Sequence, residues 1–384
     1  MRGRSVVVLV IDSGGIGAAP DVAAYHDAGN VNTIGNTASA AGGLALPTLQ
    51  SLGLGDICSV RGVASIGSPR ASVARLRESS NGKDTITGHW EMMNIIVRTP
   101  FPTYPNGFPP EVVERFETIT GRKVLGNRTA SGTQIIEELG VEHMRTGRPI
   151  LYTSADSVFQ VAAHERIVPL ETLWRWCAAA REMLVGQNRV NRVIARPFDG
   201  EPGHFVRTAG RRDFAVAPPR PSVLDALSAA GVPTCGLGKI GDIYCCQGIA
   251  AGSRTADNAE GIAKTVEWLD AGQGGFCFTN LNDFDSKYGH RRDPEGYAKA
   301  LVALDQRLPE ILNRLGNGDR LIITADHGCD PTAPGTDHTR EFAPLLDYAP
   351  GRAGQMLGEL DSFAQVGRRV MATFGLTPPE TLFV

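Results

Sequence analysis

Three short apolar runs that each lead into acidic residues limit the folds open to this chain more than any other feature of its sequence. The runs and the acidic residues after them are Val6–Ile11 before Asp12, Phe276–Leu281 before Asp283 and Asp285, and Leu321–Ala325 before Asp326. Continuous apolar runs of this length are typical of parallel strands buried between helices. Ligands bind at the carboxyl ends of the strands in open α/β sheets. The runs therefore predict an α/β fold with a mainly parallel sheet between helices and a functional site at one sheet edge.

Two proline-rich stretches, 100–110 and 218–221, bracket the middle of the chain. Prolines at this density cannot continue a helix or a central strand, so we expect both stretches to be stiff connections. The 384 residues also exceed the size at which a single core usually stops growing. The sequence thus predicts a discontinuous α/β core, residues 1–98 and 218–384, with an inserted α+β domain of residues 99–217.

Local signals place several elements within these domains. In the inserted segment we expect strands at 150–153 and 192–195 and helices at 134–139 and 170–184. In the core, Asp293 is a candidate N-cap and Pro294 suits the first position of a helix. Apolar residues then recur at helical spacing, and Pro309 is expected to kink or split that helix.

The composition excludes several classes of protein. A content of 42% hydrophobic and 21% charged residues is ordinary for a globular protein. The net charge of −3 gives no electrostatic reason to expect binding to nucleic acid or to an anionic membrane. No stretch approaches the roughly 20 apolar residues of a membrane span. The first apolar run meets Asp12 without a signal-peptide cleavage pattern, and the seven cysteines contain no CxxC, so we expect a cytoplasmic protein.

Aspartate and histidine side chains from both ends of the chain form the strongest candidate site. They are Asp12, Asp285, His290, Asp326, His327 and His338. Carboxylate oxygen together with neutral imidazole suits Mn, Zn or Fe better than calcium or magnesium. Six ligands suffice for two ions with positions left for substrate, an arrangement that clamps a phosphoryl group during in-line displacement. Each residue alone could be an ordinary loop residue, but the set predicts a two-metal phosphoryl-transfer enzyme.

A hydroxyl-rich segment, residues 81–90, supplies candidate nucleophiles. Threonine is a poor nucleophile until its hydroxyl pKa is lowered, and metal coordination can lower it without a neighbouring base. Thr85 and Thr87 are the candidates in this segment. The alternative interpretation is a polar turn that begins a helix, with Asp84 or Thr85 as its N-cap. His89, in the same segment, could be a further ligand, although a structural role is the simpler expectation.

Signature segments along nearly the whole chain resemble those of the bacterial phosphopentomutase family, a branch of the alkaline phosphatase superfamily. These segments are Asp12–Asp21, Gly82–Glu91, Tyr152–Ser157, Asp283–Asp285, Gly289–Pro294, Ala325–Gly328 and Gly335–Glu341. The resemblance implies an alkaline-phosphatase-like core with a cap inserted for substrate recognition. Two positions depart from the pattern: Gly14 stands where a larger apolar residue is expected, and Cys329 where asparagine is expected.

The resemblance also implies a distribution of ligands between two divalent ions, with Mn²⁺ as the expected metal. One ion would be held by three side chains: Asp285, His290 and His338. The other would be held by four: Asp12, Asp326, His327 and the hydroxyl oxygen of Thr85. Thr85 would be phosphorylated in the active enzyme. The implied activity is that of an isomerase which interconverts (deoxy)ribose 1-phosphate and (deoxy)ribose 5-phosphate through a pentose bisphosphate.

The inserted domain is expected to recognise the sugar phosphate. Ser154 and Asp156 follow a predicted strand and could bind ribose hydroxyls. Arg192 and Arg196 share one face of a strand, and guanidinium groups bind phosphate bidentately. Together with Lys239, Arg207, Arg211 and Arg212 they form a basic set suited to a distal phosphate.

Small sugar phosphates are the expected partners of such an enzyme, with a sugar bisphosphate as activator. A phosphatase, a phosphodiesterase or a phosphoglycerate-mutase-like enzyme on the same core is the alternative activity. A metal-binding protein without catalytic activity is a further alternative, but it would leave the Thr85 segment and the inserted domain without a role.

Overall fold

The protein consists of two compact units in a computed structural model that describes residues 3–154, 157–219 and 221–384. The core unit combines Met1–Thr99 with Pro218–Val384, and the inserted unit is Pro100–Ala217. The two proline-rich stretches of the sequence lie where the chain passes from one unit to the other.

Strands and helices alternate along much of the chain. The strands are β1 Ser5–Ile11, β2 Ser72–Leu76, β3 Ile95–Ile96, β4 Leu125–Thr129, β5 Ile150–Thr153, β6 Val158–His164, β7 Arg192–Asp199, β8 Val206–Arg207, β9 Arg212–Ala215, β10 Thr234–Leu237, β11 Ala251–Ser253, β12 Gly275–Leu281, β13 Arg320–Thr324, β14 Ala343–Tyr348, β15 Met356–Leu360 and β16 Leu382–Phe383. The α-helices are α1 Thr33–Ala40, α2 Pro47–Leu52, α3 Leu54–Ile57, α4 Thr85–Met92, α5 Pro110–Thr120, α6 Gly132–Thr146, α7 Leu170–Met183, α8 Val223–Ala229, α9 Ile240–Ile243, α10 Asn258–Asp270, α11 Pro294–Leu312 and α12 Gln365–Thr373. Within the described part of the chain, no helix has both the length and the apolar character needed to cross a lipid bilayer.

The core unit is built on an eight-stranded sheet in the order β11-β10-β12-β1-β13-β14-β2-β15. From β11 to β13 every neighbouring pair is parallel, whereas β14 runs antiparallel to both β13 and β2. The strand β1 lies between β12 and β13, and all seven of its residues are buried. The prediction of an α/β fold with a mainly parallel sheet is therefore confirmed.

The helix α11 begins as the sequence predicts and ends later than Pro309 suggests. The Asp293 side chain accepts a hydrogen bond from Gly296 N at 2.8 Å, and Pro294 is the first helical residue. The helix continues through Pro309 to Leu312, so the alternative in which proline splits it is wrong. Proline near a helix end removes little of the hydrogen-bond ladder, and Leu308 beside it is fully buried, so packing maintains the helix.

The inserted unit has its own sheet, in the order β4-β5-β6-β7-β8, and β9 also pairs with β7. Helices cover both faces of this sheet. On one face, Phe116 of α5 and Trp176 of α7 belong to the same buried cluster as Phe159 of β6. On the other face, Ile135 of α6 is clustered with Tyr152 of β5. The expected strand at 150–153 coincides with β5, whereas β7 and α6 are longer than the predicted segments.

A buried carboxylate on α4 joins this helix to two other segments of the core unit. Glu91 is fully buried and accepts hydrogen bonds from five donors. The donors are Ser79 N, Ser80 N, Ser80 Oγ, Ser362 Oγ and Phe363 N, at 2.5–2.9 Å. Buried carboxylates are tolerated when they are hydrogen-bonded in this way, so Glu91 fixes α4 against two distant segments.

Replacing Glu91 with alanine should destabilise the protein strongly. The Glu91→Ala change leaves several buried donors without an acceptor, and we expect the free energy of unfolding to fall by about 3 kcal/mol or more. Glu359→Ala is the matched control, because the Glu359 side chain is 59% exposed and pairs only at the surface with Arg75; its effect should stay within about 0.5 kcal/mol. Urea unfolding of both variants measures the difference, and equal losses would contradict the role given to Glu91.

Candidate metal centre

Three neighbouring parallel strands bring three carboxylates to one edge of the core sheet. Asp12 follows β1 directly, Asp326 comes two residues after β13, and Asp285 lies in a π-helical segment, Phe284–Gly289, just after β12. Because these strands run parallel, their carboxyl ends meet at the same edge. All three carboxylates are at most 4% exposed. The topology thus concentrates negative charge in a buried place.

The imidazoles reach the same place through two short local structures. His290 is the C-cap of the π-helical segment that carries Asp285. Gly328 and Thr339 pair in an isolated antiparallel bridge, which closes the loop between them. This closure places His338 against His327, and their rings stack with centroids 3.9 Å apart.

One group of side chains surrounds the Nε2 atom of His327. This atom lies 3.2 Å from Oδ2 of Asp326 and 3.5 Å from Oδ1 of Asp12. The Oγ1 atom of Thr85, the first residue of α4, is 3.1 Å from the same nitrogen. The ligand atoms of Asp12, Asp326 and His327 all lie within 4.8 Å of one another, close enough to hold one ion.

A second group surrounds Oδ1 of Asp285. It lies 3.3 Å from Nε2 of His338 and 3.4 Å from Nε2 of His290, and the two nitrogens are 3.1 Å apart. Asp285, His327 and His338 also form a set within 4.8 Å, so the two groups adjoin through His327. The structure therefore brings together all six side chains that the sequence proposed as metal ligands, with Thr85 beside them.

The unsatisfied atoms of the site fit divalent metal ions. Oδ1 of Asp12, Oδ1 of Asp285 and Oδ2 of Asp326 are buried and receive no hydrogen bond from the described part of the chain. The Nδ1 atom of His290 is 2.6 Å from the carbonyl of Thr336, which leaves Nε2 as the atom with a lone pair facing the carboxylates. Buried carboxylate oxygens and imidazole nitrogens that converge in this way are the donor set of Mn, Zn or Fe sites.

The pKa values of the site reflect the close packing of buried carboxylates and imidazoles. Burial, followed by the charge of Asp326, raises the pKa of Asp12. Burial opposes ionisation of Asp285 as well, but Lys239 and His338 outweigh it and hold the pKa of Asp285 well below its usual range. Burial disfavours the charged form of His327, yet the neighbouring carboxylates, Asp326 first, raise the pKa of His327 to about 10.

Lys239, the remaining substrate-binding candidate, lies in the core unit beside the candidate metal ligands. It is the N-cap residue of α9 in the core unit, and its Nζ atom lies 2.8 Å from Oδ2 of Asp12 and 3.5 Å from Oδ2 of Asp285. Its charge therefore acts on the metal-side carboxylates. The sequence placed Lys239 by charge alone, and pairing with aspartates more than 40 residues away leaves no local pattern to detect.

His89 contacts both the nucleophile segment and a candidate ligand. Its fully buried Nδ1 atom is 2.8 Å from the carbonyl oxygen of Thr85 and 3.2 Å from Oδ2 of Asp326. Gly88 permits this close approach, because a Cβ atom there would stand 2.1 Å from the carbonyl oxygen of Asp326. His89 thus holds the backbone of Thr85 and the carboxylate of Asp326 in position through one nitrogen atom.

Arg340 is an additional supporting residue that the sequence analysis did not single out. It lies two residues past the last candidate ligand and is 2% exposed. Its guanidinium donates to Glu78 Oε2 at 2.5 Å, to the carbonyl of Gly82 at 2.6 Å and to Asp21 at 2.9 Å. Since Gly82 comes three residues before Thr85, Arg340 joins the nucleophile segment to the loop of the metal ligands. In the sequence, only its closeness to the candidate ligand His338 could have indicated this supporting role.

The two departures from the family pattern have defined surroundings. A Cβ atom on Gly14 would stand 2.8 Å from the side chain of Ile11, so the turn after Asp12 is tightly packed. Cys329 is buried, with Sγ 3.6 Å from the carbonyl of Asp337 and 3.9 Å from Nδ1 of His290. Because that nitrogen faces away from Asp285, the thiol lies behind the imidazole.

The described substrate-binding candidates of the inserted unit lie on its central strands or directly after them. Arg192 and Arg196 are half-buried on β7, and Ser154 is half-buried just after β5. Nη2 of Arg196 donates to Oε1 of Gln160 at 2.9 Å. Asp156 lies outside the described residues.

The proteins that this chain resembles support the assignment of a metal centre. The family model described as "Metalloenzyme superfamily" matches residues 4–378. A phosphopentomutase of Anaeromyxobacter sp. (strain K) is 56% identical over 374 residues, which cover 97% of this chain and 96% of that protein. One of Caldanaerobacter subterraneus subsp. tengcongensis is 54% identical and covers 98% and 96%. Among solved structures, a phosphoglycerate mutase of Leishmania mexicana superposes with a TM-score of 0.51 at 13% identity, covering 99% of this chain and 96% of that one, which shows a shared fold.

Metal binding should release protons from this site. With a pKa of about 10, His327 carries a proton at pH 7.5 in the metal-free protein, and that proton must leave before Nε2 can bind a metal. We expect release of about one proton per site from His327 and an apparent Mn²⁺ affinity that rises about tenfold per pH unit between pH 7 and 9. Calorimetry in buffers of different ionisation enthalpy measures the release. It should decrease in His327→Asn but not in the exposed-residue control His204→Asn; Mn²⁺ binding without proton release would contradict this account.

Proposed function

The chain belongs to the phosphopentomutase family within the metalloenzyme superfamily, and we propose that it interconverts (deoxy)ribose 1-phosphate and (deoxy)ribose 5-phosphate. The observation that carries the proposal is the position of Thr85, whose hydroxyl oxygen lies 3.1 Å from Nε2 of His327 within the candidate metal centre. A hydroxyl held there can serve as a phosphoryl carrier. The enzyme is accordingly an isomerase that works by phosphoryl transfer.

We further propose that two Mn²⁺ ions occupy the centre. Asp285, His290 and His338 would hold one ion. The second would be held by Asp12, Asp326, His327 and the oxygen of Thr85. When bound, the ions would lower the pKa of the Thr85 hydroxyl and neutralise charge on the phosphoryl group. The buried and unsatisfied carboxylate oxygens support this assignment.

Thr85 would carry the phosphoryl group between two sugar positions. Phospho-Thr85 gives its phosphoryl group to the free hydroxyl of a pentose phosphate: the bond from phosphorus to the threonine oxygen breaks, and one to the sugar oxygen forms. The resulting bisphosphate then returns its other phosphoryl group to Thr85. The proton lost by the accepting sugar hydroxyl is matched by the proton gained by the hydroxyl set free, so the cycle consumes nothing.

The local structure suits a phosphate on Thr85. Asp84 caps α4 by accepting hydrogen bonds from the N–H groups of Ile86 and Thr87 at 3.1 and 3.2 Å. Thr85 is therefore the first residue of a helix, where the helix dipole favours a negative group. His89 and the buried Glu91, one and two turns further along α4, keep the start of this helix in place.

We propose that the inserted unit recognises the pentose. Ser154 and Asp156 would bind sugar hydroxyls, and Arg192 and Arg196 the phosphate that is not being transferred. Lys239, which contacts the metal-side carboxylates, would act on the phosphate in transfer. A sugar bisphosphate would serve as activator by phosphorylating Thr85. The reaction would take place in the cytoplasm.

Loss of the Thr85 hydroxyl should abolish the mutase reaction. We expect Thr85→Ala to reduce kcat by about 10³-fold or more, because the phosphoryl carrier is removed. Intact mass spectrometry should show one phosphoryl group on the wild type after incubation with a sugar bisphosphate, and none on Thr85→Ala. Thr87→Ala is the matched control and should retain the phosphoryl group. Free phosphate formed without isomerisation in the wild type would indicate a phosphatase instead.

Asp156 should affect how the intermediate is held. We expect Asp156→Ala to lower kcat/KM by about 10²-fold, because lost positioning raises the barrier to transfer. Release of inorganic phosphate per isomerisation should rise, because a loosely held bisphosphate leaves phospho-Thr85 open to water. The surface carboxylate of Asp199 in the same unit provides the control, Asp199→Ala. Kinetics of Asp156→Ala within a few-fold of this control would remove Asp156 from the proposed site.

A further inference from the structure

Two adjoining cavities open on the surface of the core unit. Their volumes are about 610 and 390 Å³, and they share the lining residues Arg70, Arg352 and Ala353. Sites for small molecules in proteins are typically cavities of roughly 300–1,000 Å³. The strand β13 begins at Arg320 in the lining and leads to the metal-side Asp326 beyond its other end. At about 3.3 Å per residue its two ends are about 13 Å apart, so the cavities are separate from the candidate metal centre.

The smaller cavity carries an excess of positive charge. One carboxylate and five guanidinium groups are the charged groups that line it: Asp347, Arg70, Arg320, Arg352, Arg368 and Arg369. The difference between those two counts is an excess of four positive charges. Charge of one sign that is concentrated in a cavity attracts ligands of the opposite sign. The smaller cavity is therefore suited to an anion with several negative charges.

The single carboxylate holds two of these arginines in position. The Asp347 side chain is 9% exposed, and its two oxygens lie 3.1 Å from Nε of Arg320 and 3.1 Å from Nε of Arg369. Nη1 of Arg320 donates to the carbonyl of Arg369 at 2.7 Å, and Nη1 of Arg369 donates to Oε1 of Gln365 at 2.9 Å. The Nη2 atom of each arginine donates no hydrogen bond to the described part of the chain. Guanidinium groups that are fixed in this way, with donors left over, suit the oxygens of a phosphate group.

The other three arginines of the smaller cavity form no ion pair with a carboxylate in the described part of the chain. Arg352 and Arg368 are exposed, and neither side chain makes a hydrogen bond to a described residue. Arg70 is exposed as well, and its Nη2 atom donates to the hydroxyl of Tyr348 at 3.2 Å. These three side chains can therefore bind an anion without first breaking an ion pair.

The larger cavity is less charged and offers an apolar surface. Pro69, Tyr348 and Met356 belong to its lining, in which Arg70 and Arg352 are the only charged groups among the described residues. Met356 is 52% exposed, and the guanidinium of Arg70 lies 5.1 Å from the centroid of the Tyr348 ring. Nucleic-acid bases stack on aromatic rings and on guanidinium groups. The larger cavity is therefore suited to a planar heteroaromatic ring beside the cationic cavity.

We propose that the two cavities form one binding site for a nucleoside triphosphate. Its phosphate groups lie among the arginines of the smaller cavity, and its base lies beside Tyr348 and Met356 in the larger one. A ligand of this class joins a planar ring to a chain of phosphates, which matches an apolar cavity joined to a cationic one. The site does not rest on the proposed isomerase reaction, so either proposal can fail without the other.

The first test is calorimetric titration of ATP into the full-length protein and its arginine variants. The double variant Arg352→Gln/Arg368→Gln should weaken ATP binding by about tenfold or more, because two charge-assisted contacts are lost. Its melting temperature without ligand should not fall, because both side chains are exposed. Arg115→Gln/Arg175→Gln is the matched control: it removes two exposed arginines of the inserted unit and should bind ATP normally. No ATP binding by the wild type, or equal affinity in the two double variants, would overturn the proposal.

The second test separates this site from the candidate metal centre, where a triphosphate could also bind through metal ions. The titration of ATP is repeated after divalent metal has been removed with a chelator. We expect the affinity for ATP to stay within about threefold, because guanidinium groups supply the positive charge at the cavities. ATP binding that disappears with the metal would place the nucleotide at the candidate metal centre and overturn the proposal.

The third test asks whether the base contributes to binding. ATP should bind about tenfold more tightly than inorganic tripolyphosphate, because only ATP has a ring to pack in the larger cavity. Met356→Ser should reduce the affinity for ATP by about threefold and leave that for tripolyphosphate unchanged. Val206→Ser, at an apolar residue of the inserted unit that is 61% exposed, is the control and should change neither affinity. Equal affinities of the wild type for ATP and tripolyphosphate would overturn the assignment to a nucleotide.

Discussion

The repulsion among three buried carboxylates is the constraint on which the catalytic half of this molecule depends. Parallel pairing of β1 with β12 and β13 places Asp12, Asp285 and Asp326 at one sheet edge, out of contact with water. Buried like charges can persist only if positive charge is supplied nearby. In the protein alone, Lys239 and the imidazolium of His327 supply part of it. Metal ions supply the rest, so the strand order that creates the site also creates its need for metal.

A second layer of contacts joins the proposed nucleophile, Thr85, to the same assembly. Arg340 bonds the carbonyl of Gly82, and His89 contacts both the carbonyl of Thr85 and the carboxylate of Asp326. These contacts connect α4 to the metal-side loops through buried groups. Hydrogen bonds between buried groups are electrostatically stronger than the same bonds in water. The Thr85 hydroxyl, which we propose as the phosphoryl carrier, therefore does not depend on a flexible loop for its position. Preorganisation of this kind is what phosphoryl transfer requires, since the protein's main contribution is positioning and charge.

The parts of this structure that the sequence could predict are those with a local signature. Apolar runs that end in aspartate give the parallel sheet and its ligand edge, and the capping pattern at Asp293 gives the start of α11. The position of Lys239 beside Asp12 could not be predicted, because it depends on pairing between strands distant in sequence. Pro309 shows the converse. Proline is a strong local signal for a helix break, but the burial of neighbouring Leu308 keeps the helix continuous.

The buried carboxylate oxygens without hydrogen-bond partners at the candidate centre indicate what the core unit binds. In the core unit the orphaned atoms at the candidate centre are acceptors, the carboxylate oxygens of Asp12, Asp285 and Asp326. Each such atom costs stability, so a folded protein retains a cluster of them only where a ligand offsets the cost. Orphaned acceptors call for cations, which agrees with a centre that holds divalent metal ions.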